Sequence, residues 1–208
     1  IAEKVPMLKT AALSMGGPQT QNVATIGGNV CNGATSADSA PSLFALDAVL
    51  ELVSADGSRK VPVTEFYAGP GKVNKAHGEL LTHIILPAGP RANRGGAYIK
   101  MSTRNAMDIS TLGSAAVCVL DADGSIRSAA IALGTAGPVP MRCTEAEEVL
   151  TGKFLTDALL AEAGKKAAAA ANPRSSWRAS AAYRKYLAEE LSARAFKDAF
   201  EAAGGTMR

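Results

Sequence analysis

A short segment of small and polar residues, 22–38, holds the side chains best suited to binding chemistry. It contains the pair Gly27-Gly28, which Thr25 and Asn29 flank. Glycine has no Cβ, so the backbone can turn sharply there and approach another group closely. The flanking hydroxyl and amide can both donate hydrogen bonds. The spacing predicts a loop that presents N–H groups to a phosphate or to the polar edge of a flat cofactor; an ordinary turn is the alternative.

Polar residues continue this segment toward its end, with only small residues between them. Asn32, Ser36 and Asp38 follow the double glycine within ten positions. Such a run suits wrapping around a large polar ligand better than building a core. Asp38 could accept a hydrogen bond from a ribose or ribityl hydroxyl, as acidic residues do in dinucleotide sites. It could equally cap the helix predicted after it.

A lysine beyond the middle of the chain is the second candidate for ligand binding. Lys100 ends a predicted strand and could reach a ligand held by the first half, or it could be a solvated strand end. Asp108 has no paired carboxylate nearby in the sequence, and His77 and His83 have no metal-ligand pattern. Nucleophile elbows and Walker loops are absent from the sequence. This combination favours a protein that positions a redox cofactor, which then performs the chemistry.

The elements that must position these residues follow from hydrophobic patterning and turn signals. A helix is predicted over 4–14 and a short buried one over 42–48. Strands are predicted at 49–54, 59–63 and 79–86, before a Pro- and Gly-rich linker at 87–96. Three strands at 96–100, 114–120 and 126–133 precede helices over 144–150, 156–171 and 179–203. Strands followed by helices indicate an α+β fold.

Composition narrows the classes of function. The 208 residues are 47% hydrophobic and 20% charged, which favours a packed core. A net charge of +3 and 5% aromatic residues argue against nucleic-acid binding. The sequence has no apolar run of about 18 residues, so no membrane span is predicted. Cys31, Cys118 and Cys143 are widely spaced, which predicts reduced thiols in or near the core and a cytoplasmic location.

Two sequence regions together resemble a known family. The first reads Asn-Val-Ala-Thr-Ile-Gly-Gly-Asn over 22–29 and Cys-Asn-Gly-Ala-Thr-Ser-Ala-Asp-Ser over 31–39. The second comprises Lys100, Arg104, Ala-Met-Asp-Ile-Ser-Thr over 106–111, Pro-Arg-Ser-Ser-Trp-Arg-Ala-Ser over 173–180, and Tyr-Arg over 183–184. Both are similar to the FAD-binding, or medium, subunit of bacterial molybdenum hydroxylases, and most similar to the xanthine dehydrogenase type. The resemblance covers essentially the whole chain.

The resemblance implies a fold and a division of the chain. Residues 1–89 would be the C-terminal portion of a two-subdomain FAD-binding domain. Residues 95–208 would be a carbon monoxide dehydrogenase flavoprotein-like domain, with a three-stranded antiparallel sheet and a helical bundle. The family carries a first glycine-rich loop upstream, and this sequence begins too late to contain it. Half of the pyrophosphate cradle is therefore expected to be missing, or to lie on another polypeptide or on a removed segment.

The resemblance also implies a site and partners. FAD would lie between two subdomains and contact residues Thr25, Ile26, Gly27, Gly28, Asn29, Asn32, Asp38, Leu81 and Lys100. Electrons would come from 2Fe-2S clusters on a partner subunit and pass to NAD or another acceptor, with molybdopterin on a third subunit. No catalytic residue and no metal ligand is predicted in this chain. The alternative is an FAD-free structural or assembly module that docks to partner subunits.

Overall fold

A computed structural model describes residues 3–89 and 92–208, and its first part is mainly helical before it becomes a small sheet. The helices are α1 (Pro6–Leu13), α2 (Pro18–Gln21), α3 (Ile26–Cys31), α4 (Ser39–Ala45) and α5 (Val63–Phe66). The strands are β1 (Val49–Ser54), β2 (Gly57–Pro62), β3 (Tyr67–Gly69), β4 (Lys72–Val73) and β5 (Leu80–Ile85). Strands β2, β1 and β5 form an antiparallel sheet in that order, and β3 pairs with β4.

The second part is an antiparallel sheet followed by three helices. Its strands, in spatial as well as chain order, are β6 (Arg94–Met101), β7 (Leu112–Leu120), β8 (Ile126–Gly134) and β9 (Met141–Arg142). Its helices are α6 (Thr144–Leu150), α7 (Asp157–Ala170) and α8 (Ala181–Ala202). The predicted α+β class is confirmed. The sheet has four strands, whereas three were expected. Strand β9 was not predicted because it has only two residues and follows a Pro- and Gly-containing stretch that gives no alternating signal.

The four-stranded sheet lies between two layers of helices. Helix α8 packs against β6 and β7 on one face, and helices α1 and α4 pack on the sheet from the first part of the chain. Every residue of β7 is buried, as expected for a central strand covered on both faces. One hydrophobic core fills the space between the sheet and α6–α8. The other contains Leu43 and Phe66 of the first part together with Tyr98 and Ala115 of the second.

The shared core spans the two domains predicted over residues 1–89 and 95–208. The boundary coincides with the start of the second sheet, but the two parts pack together through one continuous set of buried side chains. Division into two domains therefore stays a prediction, and the two parts hold one another in position.

Close packing of α8 on β6 depends on a glycine. A Cβ on Gly95 would overlap the carbonyl oxygen of Ala199 and the backbone nitrogen of Ala203. The absence of a side chain lets the helix lie directly on the strand. The position of β6, and of the residues near its end, is fixed in this way.

Candidate functional site

The double-glycine segment is helical, and the prediction of a loop there was wrong. Residues Ile26–Cys31 form α3, and Thr25 is its N-cap in an extended conformation. The Oγ1 of Thr25 accepts a hydrogen bond from the N–H of Gly28 at 2.9 Å. Each glycine disfavours a helix by about 1 kcal/mol relative to alanine, so the cap and the contacts of α3 with α4 and β5 must offset that cost. Thr25 was the sequence signal for a helix start.

The first turn of α3 leaves backbone donors available. Within the described residues, the N–H groups of Ile26 and Gly27 have no acceptor. A Cβ built on Gly27 would lie 3.9 Å from Cδ2 of Leu81 on β5, with no other contact within 4 Å. Gly27 therefore opens toward β5, and the predicted site residues Gly27 and Leu81 lie close together.

Three cavities border α3. The first, about 200 Å³, lies between α1 and α3 and includes Thr25 and Asn29; we call it the α1 cavity. The second, about 310 Å³, lies between α3 and β5 and is the β5 cavity; its lining is Leu8, Ile26, Gly27, Leu81, Thr82, His83, Ile84 and Leu86. The third, about 270 Å³, is the Asp108 cavity; its lining is Met15, Gly16, Asn29, Asn32, Ala34, Ser36, Ala37, Asp38, Met107, Asp108 and Ile109.

The cavities gather most of the predicted site residues. Ile26 borders both the α1 and the β5 cavities, and Asn29 borders both the α1 and the Asp108 cavities. The side-chain oxygen of Asn29 accepts a hydrogen bond from Ser39 at 2.7 Å, which fixes its amide. Asn32 is exposed at the end of α3. A further cavity of about 530 Å³ lies against the start of α1 and residues 86–89 and 94–96, and it shares Leu86 with the β5 cavity.

Asp38 and Lys100 form a buried ion pair. The Nζ of Lys100 lies 2.9 Å from Oδ2 of Asp38, and the two side chains are 9% and 6% exposed. Tyr98 donates its hydroxyl to Oδ1 of the same carboxylate at 2.8 Å. Lys100 also donates to the carbonyl oxygens of Ser14 at 2.8 Å and Asp108 at 2.9 Å. All three protons of the ammonium group are therefore used within the protein.

The ion pair excludes the two simpler roles expected for these residues, a helix cap for Asp38 and a solvated strand end for Lys100. Asp38 occupies the N-cap position of α4, but its side chain makes no capping hydrogen bond with the described residues. Lys100 is not a solvated strand end, since it is almost completely buried. Burial raises the pKa of the Asp38 carboxyl, and the hydrogen bond and charge of Lys100 oppose that rise. Burial, followed by the charge of Asp38, raises the pKa of Tyr98 well above its usual value.

Tyr98 is a member of the site that sequence reasoning missed. It stands two positions before Lys100 on β6, and residues two apart on a strand point to the same face. That alternation was the available signal once Lys100 was a candidate. The phenol joins the strand to Asp38 on the N-terminal side of α4, so the cluster connects the two parts of the chain.

Asp108 orders the loop that borders the third cavity. Its Oδ2 accepts hydrogen bonds from the N–H and hydroxyl of Thr103 and from the N–H of Arg104. These bonds, above all that from the Thr103 hydroxyl, lower the pKa of Asp108 to about 2. Its carboxylate is thus an acceptor within the loop, while its backbone carbonyl receives Lys100.

Three further observations concern the cysteines, possible metal ligands and membrane-spanning helices. All three cysteines are free, with Cys118 and Cys143 buried and Cys31 partly so, as predicted. Among residues 3–89 and 92–208 no group of three metal-ligating side chains is found. No helix in the described part of the chain is long and apolar enough to cross a membrane.

Two family models match the chain, one over each part. Residues 1–89 match the family described as FAD binding domain in molybdopterin dehydrogenase, and residues 97–199 match the CO dehydrogenase flavoprotein C-terminal domain. The xanthine dehydrogenase FAD-binding subunit of Escherichia coli O157:H7 is 43% identical over 98% of this chain and 70% of its own length. The glyceraldehyde dehydrogenase medium chain of Sulfolobus acidocaldarius is 32% identical, over 95% of this chain and 69% of its own.

Solved structures show the same relationship. A chain of the reconstituted CO dehydrogenase from Oligotropha carboxidovorans superposes with a TM-score of 0.91 and 32% identity. The match covers 97% of this chain and 69% of that one. The resemblance expected from residues 22–39 and from the second region is confirmed along nearly the whole sequence. The chain belongs to the family of FAD-binding subunits of the molybdenum hydroxylases, and it is an oxidoreductase subunit.

Proposed function

We propose that this chain passes electrons through FAD within a xanthine dehydrogenase-like complex in the cytoplasm. In this proposal a partner subunit with 2Fe-2S clusters delivers the electrons, another subunit holds molybdopterin, and NAD or another acceptor receives them. The observation that carries the proposal is the placement of α3. Its open glycine, and its N–H groups that have no acceptor among residues 3–89 and 92–208, border cavities. The chain is 43% identical to a xanthine dehydrogenase FAD-binding subunit.

The described residues fit the chemical parts of FAD. The β5 cavity is lined largely by apolar side chains, among them Leu8 and Leu81, which suit a flat aromatic ring. The Asp108 cavity is lined by amide and hydroxyl groups such as those of Asn32 and Ser36, which suit a polyol and phosphate chain. When bound, FAD supplies the exchange of one or two electrons.

Seven of the nine predicted residues then have a role in binding. The N–H groups of Ile26 and Gly27 would donate to the cofactor, while Thr25 holds the helix start in place through Gly28. Leu81 would exclude water from the apolar side. Asn29 and Asn32 would offer amide groups.

Asp38 and Lys100 already bind one another within the protein. A direct contact of either residue with FAD stays a prediction. For Lys100 such a contact requires that one of its three internal acceptors be released.

The binding test compares two glycine variants. Purified protein is titrated with FAD, and binding is followed by the visible flavin bands and by quenching of flavin fluorescence. Gly27→Val places a branched side chain at the β5 cavity, so we expect affinity to fall at least about tenfold. Gly69→Val is the control, because a Cβ on Gly69 meets nothing within 4 Å. Equal affinities of the two variants would contradict the assigned site.

The wild-type protein separates the two functional readings. Flavin bound near one per chain supports the electron-transfer role. A folded, colourless protein that does not bind added FAD supports instead the FAD-free assembly module. Once flavin is bound, anaerobic addition of NADH tests the acceptor. Bleaching of the flavin bands is expected if NAD is the acceptor, and bands that persist would exclude NAD.

A further inference from the structure

An exposed aromatic and basic surface lies at the start of α8, and none of its residues is among those assigned to the cofactor. Trp177 is 84% exposed, Tyr186 59% and Tyr183 45%. Arg174 and Lys185 are exposed beside them, and Arg178 is half-buried. We call these six residues the Trp177 surface. Large aromatic side chains that remain this exposed on a folded protein mark an interaction site more often than isolated apolar residues do.

The Trp177 surface is ordered rather than loose. The side chain of Ser175 accepts from the N–H of Ala181, and Ser180 caps α8 by accepting from the N–H of Tyr183. The guanidinium of Arg178 lies 4.1 Å from the centre of the Trp177 ring. The rings of Tyr183 and Tyr186 stack with their centres 6.3 Å apart. Side chains that are already fixed lose less conformational entropy when a partner binds.

The charge of this surface is positive and uncompensated. Arg174 and Arg178 of this surface, and the buried Arg184 beneath it, make no ion pair within the described residues. The first turn of α8 has no acidic residue. Burial, followed by the charges of Arg174 and Arg178, lowers the pKa of Arg184. The Nε atoms of Arg178 and Arg184 are buried and have no hydrogen-bond partner among the residues that the structure describes. The positive charges of these arginines repel one another, and a carboxylate that approaches the surface would offset this repulsion.

Arg184 connects this surface to the cofactor region. It is 4% exposed and donates to the carbonyl oxygen of Thr111 and, at 3.1 Å, to the hydroxyl of Ser176. Thr111 follows Ile109, which lines the Asp108 cavity. A protein bound at the Trp177 surface would therefore lie beside the loop that borders this cavity.

We propose that the Trp177 surface docks an acidic surface on another protein subunit of the hydroxylase complex. Tryptophan, tyrosine and arginine are the residue types that most often carry the binding energy of protein interfaces. The inference rests on the proposed function, because that function requires partner subunits. A nucleic-acid ligand is disfavoured by the net charge of +3 for the whole chain.

The first experiment co-produces this chain with the molybdenum-binding and iron–sulfur subunits of its own complex. Trp177→Ala/Arg178→Glu should weaken assembly at least about tenfold by size exclusion and light scattering. Wild-type assembly should also weaken with added salt, and that of the variant less so. Arg127→Glu is the control. This variant reverses the charge of an exposed arginine near the far end of β7. The rise per residue along β7 places it about 30 Å from Thr111.

The outcomes separate this inference from the proposed function. Assembly that is equally strong in the double variant and in the control would overturn the inference. Flavin-loaded protein that does not assemble with either subunit would overturn it too, and would leave FAD binding intact. A complex that forms through the Trp177 surface without bound flavin would support the inference and contradict the electron-transfer role.

A second measurement does not depend on substitution. A zero-length carbodiimide joins lysine amines to carboxylates that are in contact with them. In the assembled wild-type complex, Lys185 should be linked to an aspartate or glutamate of another subunit, as identified by mass spectrometry. A complex in which Lys185 stays unlinked and remains open to acetylation would contradict the proposal.

Discussion

The start of α3 and the Asp38–Tyr98–Lys100 cluster lie near each other but use their polar groups differently. At α3 the N–H groups of Ile26 and Gly27 find no acceptor in the described part of the chain, and cavities border the helix. In the cluster each proton of Lys100 and both carboxylate oxygens of Asp38 have partners. We propose that the first region receives a ligand, whereas the second holds two parts of the chain together.

Residues of one family motif can therefore serve different purposes: those of α3 would bind a ligand, whereas Asp38 stabilises the fold. Changes at α3 should reduce ligand binding while the fold survives. Changes in the cluster should reduce stability first, because a buried group that loses its partner is costly. Measuring unfolding and FAD binding together therefore tests the distinction.

The largest effect is expected from Lys100→Met. The substitution leaves the Asp38 carboxylate buried beside Tyr98 without its cation, and it removes the donor to two carbonyl groups. We expect the free energy of unfolding to fall by about 3–5 kcal/mol in urea denaturation. The control Lys166→Met breaks the exposed pair with Glu145 and should cost less than about 1 kcal/mol.

A second variant distinguishes the loss of the ion pair from a general loss of structure. Asp38→Asn/Lys100→Met removes both charges, so it should recover part of the lost stability. If the single Lys100 variant were as stable as the control, the cluster would not connect the two parts of the chain. Weaker FAD binding at unchanged stability would instead place Lys100 in direct contact with the cofactor.

Tyr98→Phe should have the next largest effect. The phenylalanine keeps the packing but removes the hydroxyl that donates to Asp38, so one buried carboxylate oxygen loses its partner. A loss of about 1–3 kcal/mol is expected in the same denaturation assay. Tyr186→Phe, at an exposed position, serves as the control and should leave stability nearly unchanged. Similar values for the two variants would argue against a structural role for the Tyr98 hydroxyl.

The sequence predicted the second sheet and its helices well because their signals are local and long. Helix α6 has the predicted bounds, 144–150, and α7 and α8 differ by one or two residues at their ends. Strand β1 also has its predicted bounds. In each case a periodic apolar pattern ends in a turn or capping signal.

The site was harder to predict because its decisive contacts join distant residues. The family motif led to Asp38 and Lys100, but their pairing spans 62 positions and comes from tertiary packing. Helix α3 was missed because two glycines usually end or interrupt helices, and here the cap and tertiary contacts prevail. Direct contacts of the nine predicted residues with FAD stay a prediction that the titrations test.

Thr25→Ala tests whether the start of α3 acts in ligand binding beyond its contribution to stability. It removes the cap of α3 and should cost about 1 kcal/mol of stability. Thr156→Ala removes the equivalent cap of α7, where Thr156 accepts from Leu159, and should cost a similar amount. FAD affinity should fall only for Thr25→Ala, because α7 lies outside the cavities described for α3. A parallel loss of affinity in both variants would show that binding merely follows overall stability.

The smallest effect is expected from Asp108→Asn and depends on pH. Hydrogen bonds lower the pKa of the Asp108 carboxyl from 3.8 to about 2 in the folded protein. Its contribution to stability is therefore complete above about pH 4 and is lost as the pH falls through 2. Wild type should exceed the Asn variant by a constant margin from neutral pH to about pH 5, with the margin closing toward pH 2 in urea denaturation. Because the exposed pair of Glu79 with Arg59 is common to both proteins, its own titration cancels. A margin that stays constant down to pH 2 would mean that Asp108 orders its loop without its charge, and the loop bordering the cavity would then be held mainly by the backbone bond to Lys100.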